Sequence, residues 1–283
     1  MKLVSIGLPI KNEKKNIKKV LLNLVKQNFY NKEIIISDNN STDGSDKICL
    51  AFAKKYKYIK YFRHRKDIDM FKNFFFTFKK AKGKYFMWAA ADDIRSINFI
   101  KANYLFLEKN LNYIASTGVS LLDTKKFKNK VINFSLSGSL CTRIHLFFKN
   151  KWISHGIFYS LIRSKILKRF PYKNYNNYFG RDWVVNLFLV KQGNINRSLN
   201  SFCRFGSSGL SFKKNTLVIQ RSNNKKIYNI EKYIPFYLFN LHSIRIFKRS
   251  EVYVRIFLYY QLFIMNIFYS FKYFFFNKNK KLY

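Results

Sequence analysis

Acidic residues are the scarce component of this chain of 283 residues: 14 Asp and Glu stand against 54 Lys and Arg, a formal net charge of +40. Such an excess ordinarily points to nucleic acid or an anionic membrane surface. Lys, Asn, Ile, Phe and Tyr are, however, enriched together, as an AT-rich coding bias produces at every permissive surface position. The charge therefore establishes tolerance of polyanions more firmly than selection for them, and it makes each retained carboxylate informative. Cysteine is equally sparse. Cys49, Cys141 and Cys203 are odd in number, widely spaced and free of any C-x-x-C pattern, which argues against a zinc site or disulfide framework and suits a reducing compartment. The four histidines, His64, His145, His155 and His242, form no H-x-H or H-x-x-x-H pair, so a histidine-built metal site is not expected. The apolar run before Pro9 and Lys11 is too short for a signal peptide, and no internal repeat is evident.

What is present is an alternation of buried strands and amphipathic helices. Leu3 to Leu8 reads as a short strand ended by Pro9, and Ile17, Val20, Leu21, Leu24 and Val25 recur at helical spacing. A second strand, Glu33 to Asp38, is followed by a helix with Ile48, Phe52 and Tyr56 inward, and a third strand lies near Ile59 to Phe62. A helix over Asp69 to Lys80 leads through the turn signal Lys82-Gly83 into the strand Tyr85 to Ala89. This order implies a parallel, right-handed, doubly wound sheet. Ligands of such sheets sit beyond the carboxyl ends of the strands, which brings Pro9, Asp38 and Asp92-Asp93 to one edge.

Further on, a helix around Ile97 to Leu107 precedes a strand at Tyr113 to Gly118. Lys125 to Phe134 reads as an irregular excursion, Arg143 to Asn150 as a helix and His155 to Ile162 as another strand. An Asn- and Tyr-rich loop, Tyr172 to Tyr178, reaches Gly180-Arg181-Asp182. Trp183 to Val190 reads as a helix stopped by Gly193, Asn194 to Phe205 as strand, and Gly206 to Gly209 as a flexible loop. Past residue 216 the chain is aromatic, aliphatic and basic. Ile256 to Phe271 falls short of the ~20 residues of a spanning helix, so it is expected either to lie in a membrane interface or to pack on the preceding domain.

Several segments together resemble the family 2 glycosyltransferases, inverting enzymes of the GT-A fold. They are Pro9-Ile10-Lys11-Asn12-Glu13, Gln27-Asn28-Phe29, the run from Glu33 through Asp38 to Gly44, Ala81-Lys82-Gly83-Lys84-Tyr85, Asp92-Asp93 and, in the second half, Gly180-Arg181-Asp182-Trp183. Each is weak alone; their order and spacing make the set specific. The resemblance implies an α/β GT-A fold, a Rossmann-like, mostly parallel sheet flanked by helices with a helical C-terminal appendage. Residues 1–215 would be the catalytic domain and 216–283 an aromatic, basic, helical region that either associates with membrane or packs on that domain.

It also implies the chemistry. A nucleotide-sugar donor leaves as a charged diphosphate, which a hard divalent cation, Mn²⁺ or Mg²⁺, stabilises as a Lewis acid. By resemblance Asp92 is the metal ligand and Asp93 supports metal, acceptor or loop, with Ala90 standing where the family's first Asp contacts the ribose. Asp38 is expected to contact the base, Pro9 and Glu13 to shape the nucleotide pocket, and Asp43 to be a further donor-side residue. Asp182 is expected to be the general base that takes the acceptor proton. Arg181 replaces the more common Glu before it, and His155 and Trp183 are expected on the acceptor side. Each carboxylate has a structural reading beside the functional one: Asp92-Asp93 as a strand-ending turn near Ser96, Asp38 to Gly44 as a helix-entry loop, and Glu13 and Asp182 as N-terminal helix charges. The expected setting is cytoplasmic, peripheral at the inner membrane face, with a glycan or lipid-linked acceptor and no specific nucleic acid. Two alternatives remain: a nucleic-acid-binding protein stacking bases on its aromatics, and a family member whose catalysis has decayed, kept as a membrane-bound partner.

Overall fold

β1 (Val4–Ile10) and β2 (Lys32–Asp38) are buried along all their residues, as central strands covered on both faces must be. The computed structural model describes residues 3–122, 130–150, 155–172, 180–206, 230, 234 and 236–276, with backbone alone at 155 and 271–276. Between the first two strands, α1 (Lys14–Val25) turns Ile17, Val20, Leu21 and Leu24 inward. α2 (Ser45–Lys55) leads to β3 (Ile59–Arg63), and α3 (Met70–Lys80) to β4 (Tyr85–Trp88). β1 pairs in parallel with both β2 and β4, and β2 with β3.

Pro9 does not end the first strand as expected. The ladder with β2 continues to Ile10, which pairs with Asp38. Gly7 O accepts from Ala89 N at 2.8 Å, so Gly7 faces β4. Two residues on, Pro9 faces the same side, but β4 has run out of partners there. A residue without an N–H is tolerated where the ladder needs no donor.

The second half adds β5 (Ile94–Arg95), α4 (Phe99–Lys109), β6 (Tyr113–Leu122), β7 (Lys130–Ile132), α5 (Leu140–Lys149), α6 (His155–Phe158), β8 (Leu161–Arg163), α7 (Ser164–Leu167), α8 (Arg181–Gln192) and β9 (Asn194–Phe205). The sheet runs β3-β2-β1-β4-β8-β6-β9-β5, with β7 on β6. β8 is antiparallel to both neighbours, while β6 and β9 are parallel. The strand expected over His155 to Ile162 is therefore a helical turn followed by a three-residue strand. Ser160 breaks the run, its hydroxyl donating to Ile157 O at 2.6 Å. Of the expected excursion and loops, 123–129, 173–179 and 207–209 lie outside the described residues.

Side-chain alternation along β4 divides the interior. Tyr85, Met87 and Ala89 join the cluster under α1 and α4, whereas Phe86 and Trp88 join an aromatic cluster with Phe75, Phe158 and Trp183. The last helices, α9 (Tyr237–Phe247) and α10 (Val252–Phe276), extend that second cluster with Phe239, Phe247, Val254, Leu258, Leu262 and Met265.

Candidate active site

Three parallel strands present their carboxyl ends together. The distance from β2 across β1 to β4 is two strand spacings, about 10 Å, so the loops after Ile10, Asp38 and Trp88 share one edge. The first two are laced to each other. Asn12 N donates to Ser41 Oγ at 2.9 Å, Thr42 N to Asn12 Oδ1 at 2.9 Å, and Glu13 N to Ser45 Oγ at 2.8 Å. Asn12, Asn40 and Gly44 hold positive φ of 55°, 58° and 93°, which Asn and Gly adopt most readily.

Within this lacing the acidic residues have defined tasks. Asp38 is fully buried; it accepts from Ser41 N at 2.8 Å and from the Tyr61 hydroxyl at 2.6 Å. Burial, then the bond to Asp38, pushes the Tyr61 hydroxyl far above its usual range. Asp43 accepts from Lys14 N at 2.8 Å and from Ser45 N and Oγ at 2.9 and 2.6 Å, so one carboxylate holds the starts of α1 and α2. Its partial burial opposes ionisation, but the bonds from Ser45 and Lys14 outweigh that and hold its carboxyl below the usual range. Glu13 occupies the N-cap position of α1 without capping it. Its Oε2 accepts instead from Asn16 Nδ2 at 3.3 Å.

Across the edge, Asp92 is half-exposed and Asp93 buried. Asp93 Oδ1 accepts from Gly206 N at 3.1 Å, so the end of β9 closes over the acidic turn. The turn does not cap a helix through Ser96: Ser96 Oγ accepts from Phe202 N at 3.1 Å, tying the turn to β9. Asp182 stands in the first turn of α8, half-buried. Tyr159 connects these groups. Burial pushes its hydroxyl well above the usual range, and the negative charges of Asp93, Asp182 and Asp92 add to that, with Arg95 opposing. Two neighbouring carboxylates and a third some ninety residues away thus act on one phenol. Burial likewise pushes the Cys203 thiol up to about 12, with Arg95 opposing and Asp93 and Asp92 adding, so it stays neutral.

Sequence reasoning missed Tyr159 and Arg95. Arg95 is 1% exposed; Nη2 donates to Trp88 O at 3.2 Å, and Nε and Nη1 have no hydrogen-bond partner among the described residues. Its guanidinium lies 5.5 Å from the Phe99 ring centroid, a face that attracts a cation. An Arg two residues past a pair of Asp was the available signal. Arg181 is buried and donates from Nη1 to Asp69 Oδ1 at 2.6 Å, with its guanidinium 5.0 Å from the Phe71 ring centroid. Trp183 is buried, its ring 5.5 Å from Phe236 and 5.9 Å from Phe239. The side chain of His155 lies outside the described residues.

Among the described residues no three His, Cys, Asp or Glu converge as a metal cage. A cation held by one or two carboxylates, with water and a substrate's phosphates completing the shell, needs none. Asp92, a half-exposed carboxylate in the turn after β4, has the hard-oxygen chemistry that such binding needs.

The sequence model described as Glycosyl transferase family 2 matches residues 5–175. An uncharacterized glycosyltransferase of Rickettsia prowazekii is 29% identical over 125 residues, 44% of this chain; the match spans 38% of that relative's length. A Methanococcus voltae protein named dolichyl N-acetyl-alpha-D-glucosaminyl phosphate 3-beta-D-2,3-diacetamido-2,3-dideoxy-beta-D-glucuronosyltransferase is 27% identical over 267 residues, covering 86% of this chain and 81% of its own. Among solved structures, S. aureus TarS 1-349 superposes with a TM-score of 0.65 at 15% identity, covering 99% of this chain and 76% of TarS; the same protein has been solved with UDP-GlcNAc. At that identity the likeness establishes the GT-A-like fold.

Proposed function

This chain belongs to glycosyl transferase family 2, and from that premise we propose that it is an inverting transferase moving a sugar from a nucleotide-diphosphate donor to an acceptor hydroxyl. The observation that most supports this is the Asp92-Asp93 turn, tied down by Gly206 N and just past the carboxyl end of β4, where sheets of this kind take ligands; the charges of Asp93, Asp182 and Asp92 acting together on the Tyr159 hydroxyl agree with it. In a chain with 14 acidic residues, that concentration favours a cationic or hydroxylic ligand over a polyanion.

In this reading the loops after β1 and β2 receive the nucleotide. Pro9 and Glu13 shape that pocket. Asp38 and Asp43 hold its loop, and Asp38 lies at the base-contacting end. Asp92 would hold Mn²⁺ or Mg²⁺, which when bound offsets the charge of the departing diphosphate. Asp93 fixes the turn through Gly206, keeping Asp92 at the strand end. Asp182 takes the proton from the acceptor hydroxyl as its oxygen attacks the anomeric carbon from the face opposite the leaving group. Residues 1–215 carry this chemistry, with 216–283 as an appendage.

The Methanococcus relative's name gives an acceptor carried on dolichyl phosphate. It supports a lipid-linked or glycan acceptor; surface-polysaccharide synthesis at the cytoplasmic face of the membrane is the setting proposed with it. Thermal stabilisation by a panel of nucleotide sugars, with and without Mn²⁺, tests the donor assignment, because a ligand bound at one hundred times its Kd contributes about 2.7 kcal/mol. One base and sugar class should raise the Tm in a metal-dependent way. Equal silence across the whole panel would sink the proposal.

A further inference from the structure

α10 is apolar on every side, yet only part of it is covered. Val254, Leu258, Leu262 and Met265 are buried in the aromatic core. On the other side Val252, Tyr253, Ile256, Tyr259, Tyr260, Phe263, Ile264, Ile267 and Phe268 are all exposed, by 44% to 62%. Their spacing makes a continuous stripe about 24 Å long at 1.5 Å per residue. The window Val252–Ser270 has a mean hydropathy of 1.3 and is only 22% buried, unlike a core helix, and its only formally charged residue is Arg255. A helix hydrophobic all round belongs in a core or in lipid.

Charge selects the occupant. A second copy would bring another +40 against the stripe, whereas an anionic bilayer attracts it. Arg245, Lys248 and Arg249 stand exposed at the turn that enters the helix, and the tyrosines of the stripe suit the headgroup level. The packed face fixes the orientation, because standing upright across a bilayer would strip four side chains from the core. The helix is also joined to the proposed chemistry: Tyr269 lies 5.2 Å from Phe236, which lies 5.5 Å from Trp183, the neighbour of Asp182.

We propose that α10 lies in the plane of an anionic membrane surface with this stripe in the headgroup–acyl boundary, so that the Asp182 end of the site is held at the bilayer. The membrane contact stands on the stripe alone; its bearing on the acceptor rests on the transferase reading.

Flotation of the full chain with phosphatidylcholine vesicles, with and without phosphatidylglycerol, tests it. The wild-type chain should float with the anionic vesicles and far less with the neutral ones. Phe263→Asp with Ile267→Asp should lower the partition coefficient at least about tenfold. Should that pair impair folding, Lys248→Glu with Arg249→Glu, on an exposed turn, should lower it by about fivefold per charge removed. Equal flotation of wild type and both variants, or a dimer that the stripe substitutions dissociate, would overturn the proposal. The nucleotide-sugar Tm shift is measured on the same preparations. Flotation without any Tm shift would remove the transferase reading and leave the membrane contact, and the reverse result would do the opposite.

Discussion

Gly206 and Asp92 approach so closely that a β-carbon on Gly206 would stand 2.4 Å from the Asp92 carboxyl carbon. The backbone passes the proposed metal ligand with no room for a methyl group, while its N–H holds Asp93. Gly206→Ala should therefore displace Asp92 at an overpacking cost of about 1–3 kcal/mol. The Mn²⁺-dependent part of the donor Tm shift should be lost, with the circular dichroism spectrum unchanged. Retention of the full metal-dependent shift would refute the role given to this contact.

Asp92→Asn and Asp182→Asn should separate binding from chemistry. The first should abolish metal-dependent donor stabilisation and turnover together. The second should leave donor stabilisation intact and lower kcat by about 10²–10⁴-fold, the usual worth of a general base. Calorimetric donor titration beside a transfer assay reads both, and loss of donor binding in Asp182→Asn would contradict the assignment.

Asp69 caps α3 through Lys72 N at 3.1 Å and also receives Arg181. Asp69→Ala removes a cap worth about 1 kcal/mol and strands a guanidinium whose side chain is 5% exposed, so it should cost roughly 2–4 kcal/mol in urea unfolding. Arg181→Met keeps the contact with Phe71 and leaves Asp69 solvated, so it should cost less. Because α8 would lose its tether beside Asp182, Arg181→Met should lower kcat without changing donor affinity.

His242 is buried in α9, and burial, then the charge of Arg245, lowers its pKa to about 4 from 6.5. The unfolded chain binds the proton first as pH falls, so this group's stabilisation is complete above pH 6.5 and is lost on acidification towards pH 4. At 1.36 kcal/mol per unit the loss is roughly 3 kcal/mol. Stability measured by urea unfolding at pH 7 and pH 4.5 should fall accordingly, and His242→Leu should flatten that slope.

How much the chain announced in advance follows from how each contact is encoded. The strands through β4 and the helices between them were legible because buried strands and one-sided helices carry distinct periods over enough residues to be read. β8 and α6 carry three and four residues, too few for any period, so their apolar run read as one strand. The parallel edge gathering Asp38 and Asp92 followed from topology. The pairing of Arg181 with Asp69, 112 residues apart, follows from no local pattern. Nor does Tyr159, which is acted on by the Asp92-Asp93 turn and by Asp182 in the first turn of α8, two separate parts of the chain.

The pairing of β5 with β9, Ile94 with Arg204, carries a consequence for the order of assembly during synthesis. The acidic turn leaves the ribosome more than a hundred residues before the segment that fixes it, and Gly206 meets Asp93 across 113 residues. Contacts of such separation form late, because the intervening loop must be closed first. The parallel half from β1 to β4 can collapse early around its own apolar side chains, whereas a nascent chain that has not yet exposed β9 has strands and loops but an open acidic turn. On the proposed assignment, a closed acidic turn for the donor thus waits until β9 has emerged and docked.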